Sequence, residues 1–380
     1  MSSERPPVSA EPLTPHERAG QVAVERALSE VRAGRPVLLE AAGERALVLG
    51  AEAVDAEMAA ALAASAPLRA RLALPAPRLN RLGASGTLPG TVALPGISPE
   101  RVEMLALQVD ARIDAPVGAT EPLDIAALEL LRLALVLPAA VIAPLAEGAA
   151  TGDALTVQED DLLAYRGRQA RALRIVGRAP VPLEGAEKTE FVVFRGGEGL
   201  RDQVAIIVGT PDLTRAVPVR LHSACLTGDL FGSLKCDCGD QLRDTVARMA
   251  AENGGILLYL DQEGRGNGIA NKMRAYRLQS EGFDTYDADE VLGFGLDQRR
   301  FDFAARMLQM LGVHQVEIHT NNPEKIAALQ AAGLVVSAEA RVIGRTTQEN
   351  VRYLTSKRDR AGHQIDFAAL GAPVALRASD

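Results

Sequence analysis

Cys225, Cys236 and Cys238 are the only cysteines of the 380-residue chain, and they fall within fourteen positions. A C-x10-C-x-C spacing offers three thiolates to one borderline-soft metal, with Zn²⁺ the best match, and leaves one tetrahedral position over. Water in that position would make the site catalytic. His222, three residues before Cys225, would instead close it as a structural Cys₃His site. Spacing alone leaves both readings open. The stretch from Asp261 to Gly268 sets Glu263 and Arg265 among glycines. It is neither a GxxxxGK[ST] loop nor a GxGxxG fingerprint, and taken alone it reads as a turn. It also suits close approach of backbone to a ligand, with a carboxylate for a guanine-like N–H edge and an arginine for phosphate. Asp297 and Arg299, two apart before a helix, could be a general base and an anion binder, or an N-cap and a surface charge. Thr320 and Lys325 flank a strand end and a helix start, a common anion site, although a helix lysine is by default solvated.

The elements that must position these residues are legible in the second half. Phe191–Phe194, Val204–Val208, Val217–Leu221, Ile256–Leu260 and Val316–Ile318 read as strands. A helix follows Cys238, with Leu242, Val246, Met249 and Ala250 on one face and Gly254-Gly255 ending it, so Cys238 sits at a helix N-terminus where the dipole favours thiolate. Further helices start near Asn271, run through Ala304, Met307, Leu308 and Leu311, and follow Asn322 (N-cap) and Pro323 up to Gly333. In the first half, Val24, Ala27, Leu28 and Val31 keep helical spacing up to Gly34, and Val37–Glu40 and Ala46–Leu49 read as strands. The apolar stretch 131–146 is too short and too interrupted to span a bilayer and reads as buried helix and loop. A connector is expected near Gly177–Lys188.

Composition narrows the partners. A net charge of −8 and 24% charged residues are a poor footprint for nucleic-acid binding, and no membrane segment or signal peptide is expected. Three closely spaced cysteines do not form a disulfide framework and fit a reducing cytoplasm. The chain splits chemically: before Lys188 there is no lysine, cysteine or phenylalanine, and His16 is the sole histidine. We expect a mobile segment 1–15, a first domain over 16–177 without a catalytic constellation, and a second over 188–366.

Taken together, the motifs carry a resemblance. Arg220 through Leu242, then Gln262–Gly266, Asn271-Lys272, Ala275-Tyr276, Leu278-Gln279, Asp284-Thr285, Leu292–Phe294, Asp297-x-Arg299 and Thr320–Lys325 resemble, in order, the signature of GTP cyclohydrolase II over about residues 190–365. The resemblance implies a mixed α/β (α+β) fold in two domains, the C-terminal one with a mixed sheet and flanking helices. It implies Zn²⁺ on Cys225, Cys236 and Cys238, with water rather than His222 in the fourth place, and Mg²⁺ on the GTP phosphates. GTP would be bound by Arg220, Leu221, His222, Ser223, Ala224, Gln241, Glu263, Gly264, Arg265, Thr285, Thr320 and Lys325. Asp297 resembles the family's general base, Arg299 its nucleophile towards the α-phosphorus, and Tyr276 a tyrosine important to the chemistry. The implied reaction is the first step of riboflavin biosynthesis, in a homodimer.

The chain also departs from that pattern. Ala224 stands where the family usually has Glu, Asp261 where Arg is frequent and Asn267 where Ile is frequent, and Val181–Gly185 only loosely matches the usual entry motif. These departures motivate a second reading, a paralogue that opens GTP or a related substrate for another pathway such as pyrimidine catabolism. A third is a non-catalytic zinc- or nucleotide-binding regulator, against which Asp297, Arg299 and Tyr276 argue. The first domain, through Val24–Gly34, Ala51–Leu62 and Asp161–Arg166, resembles 3,4-dihydroxy-2-butanone-4-phosphate synthase. The acidic metal-binding run of that enzyme is replaced by Gly43–Gly50. The resemblance therefore implies a catalytically silent domain for packing, dimerisation or regulation.

Overall fold

The computed structural model describes residues 13–65, 70–146, 148–149, 151–197, 201–295 and 299–341. These form two compact units that interleave along the chain. One unit holds Gln169–Glu263 and the stretch from Arg299 on; the other runs through Arg168 and adds Gly264–Gln298. Each has a seven-stranded mixed sheet.

The N-terminal run begins with α1 (Pro15–Arg32), opened by a capping box between Thr14 and Glu17 and by Pro15 in the first turn. It continues through β1 (Val37–Ala41), β2 (Glu44–Gly50), α2 (Ala56–Ser65), β3 (Arg71–Leu74), α3 (Ala76–Arg81) and β4 (Gly90–Ala93). Then come α4 (Pro99–Leu107), β5 (Val117–Ala119), α5 (Pro122–Leu133), β6 (Ala140–Pro144), β7 (Thr156–Gln158) and α6 (Glu159–Arg171). The strand order is β5-β4-β3-β6-β2-β1-β7. Alternation along β1 sends Val37 and Leu39 into one core with α1 and α5, and Leu38 into another with Leu62, Leu79, Val102 and Leu105. The sheet is thus covered on both faces. That explains the one misread stretch in this half: Ala140–Pro144, expected as part of a buried helix and loop, is a strand with every residue buried. A strand covered on both faces shows no alternation, so periodicity does not reveal it.

The other unit contains β8 (Arg174–Pro180), β9 (Thr189–Arg195), β10 (Gln203–Val208), β11 (Val217–Ser223), α7 (Cys238–Ala251) and β12 (Gly255–Leu260). The chain then passes through α8 (Gly268–Ser280) and α9 (Thr285–Val291), which pack with the N-terminal run, before α10 (Asp302–Met310), β13 (Gln315–His319), α11 (Pro323–Ala331) and β14 (Val335–Ala340). The order is β14-β13-β11-β12-β10-β9-β8. Strands β14, β13, β11 and β12 are mutually parallel, while β10, β9 and β8 add antiparallel. Helices α10 and α11 cover one face and α7 the other. The connector expected from Gly177 begins later, because Arg174–Pro180 is an edge strand. Its register shift between Ile175 and Gly177 and its terminal Pro180 are what an exposed edge tolerates. Helix α8 starts at Gly268, three residues before its expected start at Asn271. Among the described residues no helix is long and apolar enough to cross a membrane.

Candidate active site

Three neighbouring parallel strands deliver three of the sequence motifs to one edge of the sheet. β11 ends at Ser223 and leads to Cys225, β12 ends at Leu260 and leads to Gln262 and Glu263, and β13 ends at His319 and leads to Thr320. Carboxyl ends of parallel strands are where open α/β sheets bind ligands.

The thiols meet there. After Cys225 the chain makes a π-helical turn, Leu226–Leu230, and Cys238 opens α7. The three Sγ atoms lie within 4.8 Å of one another, and no His, Asp or Glu joins them among the described residues. A Cβ on Gly228 would stand 2.7 Å from Cys236 Sγ and 3.0 Å from Cys225 Sγ, so only glycine lets this turn lie against the sulfurs. Crowding makes the metal-free cluster hold its protons. Cys236 is pushed up to about 11, first by its hydrogen bond with Cys225, and Cys238 rises further through bonds to both neighbouring sulfurs and burial. A divalent thiophilic cation relieves that crowding by displacing the protons, and three convergent sulfurs in a glycine-walled cradle fit one.

His222 is engaged elsewhere. Its Nε2 lies 3.1 and 3.2 Å from the two Asp229 oxygens, and its ring stacks on Tyr259 at 5.6 Å. Burial lowers its pKa although Asp229 pulls the other way, so the ring is neutral at pH 7. Asp229 Oδ2 also accepts the Cys225 amide and the Tyr259 hydroxyl, each at 2.9 Å. The carboxylate therefore ties the first thiol residue to two adjacent strands.

Three cations share the unit with the thiols. Arg220 is buried; its Nη1 donates to His319 O at 3.2 Å and its Nη2 to Gln241, whose amide donates in turn to Asp237. Burial brings Arg220 down to about 10, so it stays charged at neutral pH, and its Nε has no partner among the described residues. Lys325, which as a helix lysine could have been solvated, is buried and donates to Leu221 O at 2.6 Å. Arg299 donates to Ser223 Oγ at 3.3 Å, and Ser223 donates to Gln262 Oε1 at 3.1 Å. The ring of Phe301 lies beneath both Arg299 and Lys325, at 5.5 and 5.3 Å. Ala224 makes a backbone bond to Leu260, and Glu263 accepts the Leu226 amide at 2.6 Å, joining the loop after β12 to the metal turn. Thr320 Oγ accepts the Asn322 amide at 3.0 Å.

Gly264, Arg265, Tyr276 and Thr285 belong to the other unit. Gly264 and Arg265 both have φ of 61°, a conformation costly for arginine. Arg265 is held there by Asp289 at 2.7 Å and by the Tyr286 ring at 4.8 Å. Lys272 Nζ sits 5.5 Å from the Tyr276 ring, and Thr285, buried, is the first residue of α9. Asp297 lies outside the described residues. Sequence reasoning missed Gly228, Asp229, Tyr259, Gln262, Phe301 and Asp289. Only Gly228 and Asp229, lying between two ligands, carried any local signal.

Residues 174–341 match the family model described as GTP cyclohydrolase II. A GTP cyclohydrolase-2 of Xylella fastidiosa (strain 9a5c) is 45% identical over 350 residues, which is 91% of this chain and 88% of that protein. The chain belongs to the GTP cyclohydrolase II family. As a member of this family it is a hydrolase, and the family implies metal-dependent catalysis. The Xylella alignment is too long to be confined to residues 174–341, so much of the N-terminal run is shared with that relative. A GTP cyclohydrolase-2 of Vibrio cholerae is 47% identical over 177 residues, 46% of this chain but 89% of its own length. Among solved structures, RibBX, a two-domain 3,4-dihydroxy-2-butanone 4-phosphate synthase of A. baumannii, aligns over 84% of this chain and 99% of its own. Its identity is 18% and its TM-score 0.32.

Proposed function

We propose that this protein hydrolyses GTP to 2,5-diamino-6-(5-phosphoribosylamino)pyrimidin-4-one, formate and pyrophosphate, the first step of riboflavin biosynthesis. The observation that carries the reading is the convergence of three thiols and three cations, Arg220, Arg299 and Lys325, at one edge of a parallel sheet. A zinc ion on Cys225, Cys236 and Cys238 would supply the Lewis acidity that makes water nucleophilic near neutral pH. The remaining work falls to side chains. Arg220, Thr320 and Lys325 bind the phosphates, whose Mg²⁺ shares the neutralisation. Glu263 accepts from the guanine edge, and Leu221, His222, Ser223, Ala224 and Gln241 line the site around it. Gly264, Arg265 and Thr285 are further GTP contacts. Asp297 takes the proton from water, Arg299 attends the α-phosphorus and Tyr276 assists the ring opening.

Domains over 16–177 and 188–366 remain our proposed sequence division, in a homodimer acting in the reducing cytoplasm. We further propose that the first is a silent relative of dihydroxybutanone-phosphate synthase, since no acidic run survives at Gly43–Gly50.

Zinc-loaded protein given GTP and Mg²⁺ should release formate and the diaminopyrimidine, identified by mass spectrometry. A product retaining the formyl group would favour the paralogue reading that Ala224 motivates. Binding without turnover would sink the enzymatic reading. Cys236→Ser should abolish metal content and turnover together. Ribulose 5-phosphate with Mg²⁺ should yield no butanone phosphate, and clear turnover would overturn the silent-domain reading.

A further inference from the structure

The segment 264–295 carries Gly264, Arg265, Tyr276 and Thr285, yet it packs in the unit built by the N-terminal run. Its seat is specific. Ala275, Leu278, Ala288, Val291, Leu292 and Phe294 form one small core with Leu137. Two glycines of the segment admit residues of the N-terminal run closely. A Cβ on Gly293 would lie 2.9 Å from Pro75 Cγ, and one on Gly268 would lie 3.0 Å from Leu135 Cβ. Both glycines have positive φ, so substitution there is also strained by the backbone. Leu135 itself takes φ of 58°, rare for a leucine, and its carbonyl accepts Asn271 Nδ2 at 3.2 Å. Glu52 accepts from Arg274 at 3.0 Å and from the Leu137 amide at 3.1 Å, joining α8 to the turn before β6.

Arg78 ties this seat together. It is 1% exposed and, among the described residues, has no carboxylate partner. Its guanidinium donates to four backbone carbonyls: Leu105 at 2.7 Å, Met104 at 3.1 Å and Gln108 at 2.8 Å at the end of α4, and Val291 at 3.0 Å at the end of α9. A cation between two helix C-termini answers the carbonyls exposed there, although Met104 O also accepts the Gln108 amide. Three of the four acceptors belong to the end of α4, while the fourth and much of the apolar seat belong to α8 and α9, so Arg78 joins the two.

We propose that the N-terminal run is a brace for residues 264–295, and that Arg78 is the positioning residue through which it holds Arg265, Tyr276 and Thr285 for substrate. This rests on the reading that those residues contact GTP. The brace belongs to long family members, since the Vibrio cholerae relative aligns over less than half of this chain. A domain without chemistry of its own thereby contributes to binding.

The test uses the full chain with its metal. Arg78→Met should raise KM for GTP by about tenfold or more, through Arg265 and Thr285, and lower kcat as well, through Tyr276, as misplacement of substrate-positioning and reacting groups does. Hydrogen exchange should quicken over 268–294 and stay unchanged over β11 and β12, with metal content intact, and Arg78→Lys should recover part of the KM. Glu52→Ala, which opens no core cavity, should give a smaller KM increase of about threefold and decides the matter if Arg78→Met does not fold. Faster exchange with unchanged KM would overturn the proposal, as would exchange over 268–294 that neither variant alters. A wild-type protein without GTP turnover would instead refute the substrate reading, and the exchange measurement would still decide the brace.

Discussion

Asp229 shows how much of the thiol cluster's geometry is set by residues other than the cysteines. A carboxylate accepting the Cys225 amide, the Tyr259 hydroxyl and the His222 Nε2–H fixes the backbone from which the first sulfur projects. Partners of this kind orient metal ligands, and their loss costs about 10–100-fold in metal affinity. Asp229→Asn should therefore weaken Co²⁺ or Cd²⁺ binding by that order, read by competition with a chromophoric chelator. The thiolate-to-metal charge-transfer bands should persist, since all three sulfurs remain. Tyr259→Phe, which removes one of the three donors, should fall between the two. The clustering of the three cysteines was legible from the sequence because C-x10-C-x-C spacing is local. Asp229 was not, because its importance comes from strands that meet it thirty and seven residues away.

At the scale of elements, the π-helical turn Leu226–Leu230 carries Asp229 back over Cys225 and lays Gly228 on the sulfurs. Gly228 does not have positive φ, so its need for glycine is spatial. Gly228→Ala should displace a sulfur and lower metal occupancy with little effect on the metal-free fold, checked by metal analysis beside far-UV circular dichroism. The strands and helices that hold this turn were readable: β9 to β13 follow apolar runs, α7 begins at Cys238 as expected, and Asn322 and Pro323 open α11. What escaped was β8, whose exposed edge permits the glycine and proline that read as a connector, and β6, whose two-sided burial erases alternation. The Gly-rich loop before α8 carried too little signal to place the start of that helix, which Gly268 opens with φ of 84°.

Across the whole molecule, two buried histidines link folding to pH. His222 and His319 both have pKa values below the ordinary 6.5, each chiefly through burial, and among the described residues His319 has no hydrogen-bond partner on either ring nitrogen. A histidine whose folded pKa is depressed leaves stability intact above 6.5 and removes it as pH falls through the folded value, because only the unfolded chain gains the proton there. Thermal stability should accordingly fall as pH drops below 6.5, and His319→Leu should flatten that slope by removing one of the two contributions. An unaltered slope in the variant would assign the acid sensitivity to other groups. Packing and family likeness divide the chain differently: the family match runs unbroken through 174–341, while the segment 264–295 within it packs with the N-terminal run.

Residue spacing alone brought out the three-cysteine cluster, the order of the motifs and the family. Each of these is written in residues close together along the chain, where spacing constrains geometry directly. Only the tertiary structure decided that His222 answers to Asp229 and lies outside the sulfur cluster. It likewise placed Lys325 in the interior, stacked Arg265 between Asp289 and Tyr286, and seated α8 and α9 on Arg78. The physical reason is range. A histidine three residues from a cysteine can reach it or turn away, and the choice is made by a tyrosine on the neighbouring strand. The bond from Arg78 to Val291 spans 213 residues, and no local pattern announces it.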